Sequence, residues 1–183
     1  MNTCPISPAR LSIWDPVHLA LDETGRDVHV TLAERNMLIG GEPGSGKSVA
    51  LQLITAHGAL SPDCELILVD GKRVELGLWR RCAHRFIGPS MDEAIDTLKW
   101  LQAQIDERTD WLLDHKKRKI TPDMGFPVYL TIIDEVAYFS ATVGTPGQQK
   151  EFSALNRDVV ARGRAPGIIA IEATQRPSTA PEL

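Results

Sequence analysis

Four stretches of the chain, at 36–40, 65–70, 128–133 and 167–173, are short, near-continuous apolar runs. A strand covered on both faces reads this way, because neither side faces water. Segments with helical spacing lie between them. Val49, Leu51, Leu53 and Ile54 predict a helix over 49–57, ended by Gly58 and Pro62. Ile95, Leu98, Leu101, Ile105 and Leu112 fall on or near one stripe of a longer helix. Ser90 to Glu93 reads as its capping box, and the basic run 115–119 suits the negative end of its dipole. Phe152, Leu155 and Val159 give a third helix over 148–162, stopped by Gly163. Before all of these, 18–21 and 26–32 read as two short strands around the turn Asp22-Glu23-Thr24-Gly25, with Val28 and Val30 on one face. Strands alternating with helices predict an α/β fold of three layers with a mainly parallel sheet. The Pro-rich opening, 1–16, is expected to be an arm or linker, and 17–183 the domain.

Composition narrows this picture. The chain has 183 residues, 43% hydrophobic and 24% charged, enough apolar material for one real core. Twenty Lys and Arg stand against 24 Asp and Glu, a net charge of −4. That excludes a binder basic over its whole surface, but not a local basic stripe that grips nucleic acid. No apolar run is long enough to span a membrane, and 1–10 lacks the layout of a secretory signal. Cys4, Cys64 and Cys82 are odd in number and lack CxxC spacing, so a disulfide framework or zinc site is not expected. A reducing, cytoplasmic setting is the natural reading.

The chemistry sits in one motif. Gly41-Glu42-Pro43-Gly44-Ser45-Gly46-Lys47-Ser48 fits G-x-x-x-x-G-K-[ST] between a predicted strand and a predicted helix. The glycines let the backbone fold its N–H groups around phosphate, and the helix beginning near Gly46 adds its N-terminal dipole. Lys47 can reach the β- and γ-phosphates, and the Ser48 hydroxyl can bind Mg²⁺. Val49 completes the expected nucleotide contacts. The strand 128–133 ends in Asp134-Glu135. After a phosphate loop, Asp134 belongs in the Mg²⁺ shell and Glu135 is placed to polarise a water. Adjacent acids of this kind favour hydrolysis over phosphoryl transfer to a bound substrate. Gln175, just past the last strand, either senses the γ-phosphate or merely starts a polar loop. Arg162 and Arg164 either cap a helix or project toward a neighbour's nucleotide. The loop 70–75 either touches the site or is simply exposed. The run 115–119 either contacts nucleic-acid phosphates or is a solvated helix end.

Five segments in order carry a resemblance: Gly41 to Ser48, Leu68 to Leu76, Ile132 to Glu135, Ala161 to Ile168, and Ala173-Thr174-Gln175-Arg176-Pro177-Ser178. Over roughly 15–178 the chain resembles the FtsK/SpoIIIE family of double-stranded DNA translocases, especially the Tra-type branch of actinobacterial conjugative elements. The resemblance implies a RecA-like P-loop motor, a hexameric ring around duplex DNA, powered by ATP with Mg²⁺. It implies catalytic roles for Lys47, Glu135, Gln175 and Arg164, with the choice between Arg162 and Arg164 as the trans finger left open. Family members usually continue well past the Gln-Arg-Pro-Ser segment, and many carry a membrane anchor. The expectation is therefore a truncated motor domain, with any membrane association supplied by an anchor or partner outside it. Two other readings stay open: a P-loop motor with a non-DNA client, and a nucleotide-binding module without hydrolysis of its own.

Overall fold

The apolar runs assemble side by side. In the computed structural model, which describes residues 11–42 and 44–175, they form a parallel five-stranded sheet. Its strands are β3 (Met37–Gly40), β4 (Cys64–Asp70), β5 (Arg85–Ile87), β6 (Val128–Asp134) and β7 (Ile168–Thr174), in the spatial order β3-β7-β6-β4-β5. All seven residues of the central strand β6 are buried, which explains its unbroken apolar sequence.

Alternation along each strand feeds two cores. Leu66 and Leu68 of β4 join Leu51 and Ile54 of α1 (Lys47–Leu60) on one face. Ile67 and Val69 join Ile95, Leu98, Leu101 and Ile105 of α2 (Met91–Asp114) on the other. That second core also takes Phe152 and Val159 of α3 (Pro146–Arg162). The molecule is thus a three-layer α/β sandwich. An antiparallel hairpin, β1 (Val17–Leu21) and β2 (Asp27–Val30), lies on the α1 side, with Val17 in its core. Ile13 is fully buried in that same core. Asp63 holds the segment in place, accepting from Ser12 Oγ at 2.5 Å and from Ile13 N–H at 3.0 Å.

Helix ends depart from the expected ones in instructive ways. Ser90 Oγ accepts from the Glu93 N–H at 3.3 Å, capping α2. A full reciprocal box sits instead at Thr145 and Gln148, so α3 starts at Pro146, two residues before the expected start. The basic run 115–119 does not finish α2 but follows it. The helix ends at Asp114, the His115 ring stacks on Trp111 with 3.9 Å between centroids, and Lys116 turns left-handed at φ 55°. Among the described residues no helix is long and apolar enough to cross a membrane.

One side chain ties the layers together at the amino ends of the central strands. Arg108 of α2, 4% exposed, donates from Nη1 to the carbonyls of Pro127 and Pro166, both at 2.9 Å. These carbonyls sit just before β6 and β7. The guanidinium also lies 4.2 Å from the centroid of the Tyr129 ring. Losing it strands one buried and one half-buried acceptor and opens a cavity. Arg108→Ala should therefore cost about 3–5 kcal/mol and lower Tm by about 10 °C in a thermal melt. Arg108→Lys should restore only part of this, since an ammonium lacks the planar fork.

Candidate active site

The register brings four strand ends level. Asp70 pairs with Asp134 across β4 and β6, and Gly40 pairs with Thr174 across β3 and β7. In parallel sheets of this kind the carboxyl ends of the strands form the ligand crevice.

The glycine loop leaves β3 there. Gly44 and Gly46 have φ values of 85° and 90°, a conformation costly for any residue with a Cβ. Pro43 lies outside the described residues. Helix α1 then opens at Lys47 with Gly46 as N-cap, no side-chain cap and no acid in its first turn. Its leading N–H groups and dipole are therefore free for an external anion. Val49 is on the cleft wall.

Lys47, its side chain 9% exposed, reaches back to both acids. Its Nζ lies 3.7 Å from Asp134 Oδ1 and 3.9 Å from Glu135 Oε2. Asp134 closes β6 and is itself buried. Its Oδ1 has no hydrogen-bond partner among the described residues. Burial pushes the Asp134 carboxyl above the usual carboxylate range; Lys47 opposes this, while Asp70 and Glu75 add to it. Glu135 takes a left-handed backbone, φ 59°, which is strained for a residue with a side chain. That turn swings its carboxylate across to β7. Thr174 Oγ1 donates to Oε1 at 3.0 Å, and the Gln175 N–H donates to Oε2 at 3.1 Å.

A second loop completes the cleft. Asp70 is fully buried and accepts from the N–H groups of Lys72, Arg73 and Leu76 at 3.0, 2.7 and 2.9 Å. These bonds coil the loop 70–76 over α1, where Ser48 Oγ donates to Glu75 Oε1 at 2.8 Å. The Gln52 amide donates to the Glu75 carbonyl, fixing the loop from the next turn of α1. The result is a cleft of about 470 Å³ lined by the glycine loop, Lys47, Ser48, Lys72, Val74, Glu75, Asp134 and Gln175.

The residues present fit a nucleotide phosphate with a divalent cation. Left-handed glycines and an uncapped helix start suit the phosphate. A buried carboxylate oxygen without a hydrogen-bond donor among the described residues, lining the same cleft as a serine hydroxyl, suits the cation. The structure therefore brings Lys47, Ser48, Asp134, Glu135 and Gln175 together. It does not bring Arg164 to this cleft. Arg164 is exposed in the turn before β7, and that strand runs about 20 Å to the crevice. Arg162 is held within the chain, 2.6 Å from Asp106 and 2.6 Å from Asp158. Residues 176–178 lie outside the described residues. Of the two alternatives open for the loop 70–75, the structure takes the first: Lys72, Val74 and Glu75 line the cleft.

Comparison with known proteins identifies the family and the fold. The sequence profile of the FtsK/SpoIIIE family matches residues 14–140. The DNA translocase FtsK of Treponema pallidum is 33% identical over 181 residues, covering 89% of this chain and 22% of that protein. The protein Tra of Streptomyces lividans is 33% identical over 166 residues, covering 85% of this chain and 26% of that protein. The chain thus spans about a quarter of these relatives. Among solved structures, the pCW3 conjugation coupling protein TcpA, determined with ATPγS, superposes with a TM-score of 0.73. Identity to it is 22%, over 90% of this chain and 48% of that one. The fold is therefore the RecA-like fold of P-loop ATPases.

Asp134 yields a test of this electrostatic balance. Its folded-state pKa is raised, so its ionised form opposes folding; the penalty is present at neutral pH and fades as pH falls toward the carboxylate range. Asp134→Asn should raise Tm without ligand by about 2–4 °C at pH 7 and by less near pH 4.5, in melts followed by circular dichroism.

Proposed function

The chain belongs to the FtsK/SpoIIIE family, and we propose that it forms the ATP-binding and ATP-hydrolysing motor domain of a double-stranded DNA translocase, acting in plasmid transfer or chromosome segregation. We take the domain as 17–183, with Ser12 and Ile13 of the preceding segment packed onto its core. The observation that carries this reading is the buried set of Lys47, Asp134 and Glu135 facing a left-handed glycine loop.

Each residue has a task there. The loop N–H groups and Lys47 bind and orient the β- and γ-phosphates. Ser48 and Asp134 would hold Mg²⁺, which when bound offsets negative charge on the phosphates. Glu135 takes the proton of the attacking water. Its two bonds from Thr174 and Gln175 keep that carboxylate from rotating away. The Gln175 side chain, at the mouth of the cleft, responds to the γ-phosphate. Arg164 acts on the nucleotide of an adjacent copy in a ring, a hexamer by family resemblance. Its exposure and its place far from its own cleft support that role, as does the engagement of Arg162 within the chain.

Steady-state ATP hydrolysis with Mg²⁺, with and without duplex DNA, tests this reading. Turnover should rise with duplex DNA. Glu135→Gln should lower it at least 100-fold while nucleotide binding persists. Turnover unchanged in Glu135→Gln would overturn the assigned base. Turnover indifferent to DNA would favour a motor with another client.

A further inference from the structure

Helix α3 sorts its charges between two faces. Its two acids are turned toward α2: Glu151 pairs with Lys99 at 2.7 Å, and Asp158 accepts from Gln102 at 2.6 Å as well as from Arg162. The outward face instead carries Lys150 and Arg157, both exposed, two turns and about 10.5 Å apart along the helix. Neither has an ion-pair partner among the described residues. Arg157 uses Nε–H on the Ser153 carbonyl at 3.2 Å and is exposed.

These cations flank a groove of about 530 Å³ between α3 and a π-helical turn at Tyr138–Thr142. Its described lining is Ser140, Pro146, Gln149, Lys150, Ser153 and Arg157, two cations with neutral residues and no carboxylate. In a chain of net charge −4 this is a departure from the background. Ser153 and Ala154 keep the path between the cations low.

The groove is wired to the hydrolytic carboxylate. The Tyr138 N–H donates to the Glu135 carbonyl at 2.9 Å, and the Val143 N–H closes the π turn on the Tyr138 carbonyl at 2.9 Å. Gln149 of the groove wall donates to the Val143 carbonyl at 3.2 Å. Phe139, fully buried, stacks on Phe152 of α3 with 5.3 Å between centroids, so the turn and the helix move together. Single π turns of this kind are rare and recur at functional sites.

We propose that this groove holds backbone phosphates of duplex DNA, and that its occupancy is transmitted through the π turn to Glu135. The inference rests on the translocase reading above and adds the contact surface and its route to the active site. A continuous polyanion matches two unpaired cations separated by neutral, low side chains. An acidic protein surface would present carboxylates at irregular spacing.

The test is binding of the full chain to a 30-base-pair duplex of arbitrary sequence, by fluorescence anisotropy, from about 50 to 200 mM salt. The groove variant is Lys150→Gln with Arg157→Gln. Arg26→Gln with Arg81→Gln removes the same charge elsewhere. Loss of two phosphate contacts should reduce the slope of log K against log salt by about 1.8 in the groove variant and leave it unchanged in the control. DNA-free ATP turnover should stay as in the wild type, while its stimulation by DNA falls at least fivefold. A groove variant with the wild-type slope and stimulation overturns the proposal and leaves the translocase reading standing. Absence of salt-dependent duplex binding by the wild type overturns both. A variant that loses self-association in sedimentation while keeping the wild-type slope assigns the face to a second copy and overturns the proposal. A reduced slope with stimulation intact overturns the link to Glu135.

Discussion

A carboxylate taken out of water must find a partner, and this cleft gathers four of them. Asp70, Glu75, Asp134 and Glu135 face Lys47 and Lys72. Three find neutral donors as well. Asp70 takes three backbone N–H groups, Glu75 a serine hydroxyl, and Glu135 a threonine hydroxyl and a backbone N–H. Among the described residues, Asp134 Oδ1 has only an ammonium at 3.7 Å. The remaining deficit of positive charge sits beside an uncapped helix start and a loop with left-handed glycines. Both halves of a metal–phosphate complex are thereby called for at one place.

The rest of the structure serves this arrangement. Four strands end level at one edge, because β4 and β6 pair as far as Asp70 and Asp134, and β3 and β7 as far as Gly40 and Thr174. Arg108 fixes the opposite ends of β6 and β7, and so the level at which Asp134 and Thr174 emerge. The strained turn at Glu135 persists because β7 holds its carboxylate and the π turn holds its carbonyl. A change at either holding point reaches the residue placed to take a proton.

How much of this was legible follows from where each feature's cause lies. The strands 65–70, 128–133 and 167–173 were legible because burial on both faces writes itself as an apolar run. The glycine loop was legible because φ > 0 demands glycine, and its neighbours Lys47 and Ser48 are part of one local motif. β5 was not, since Arg85-Phe86-Ile87 is three residues long and, among the described residues, pairs on one side only. Glu75 was not, because its bond to Ser48 spans 27 positions and depends on the coil that buried Asp70 imposes. The same holds for Arg162: its partner Asp158, four positions away, could be read from spacing, whereas Asp106, 56 positions away, could not. The reach of 115–119 was misjudged because aromatic stacking of His115 on Trp111 ends the helix before the lysines begin.

The central claim is that the cleft is built around Lys47 to receive a nucleotide phosphate with its metal. Isothermal titration of the whole chain with ATPγS and Mg²⁺, beside Lys47→Ala, tests it most directly. The account predicts saturable one-site binding that weakens at least 100-fold in Lys47→Ala and weakens again when Mg²⁺ is chelated. Absence of binding to the wild type, or binding that Lys47→Ala leaves unchanged, would contradict it.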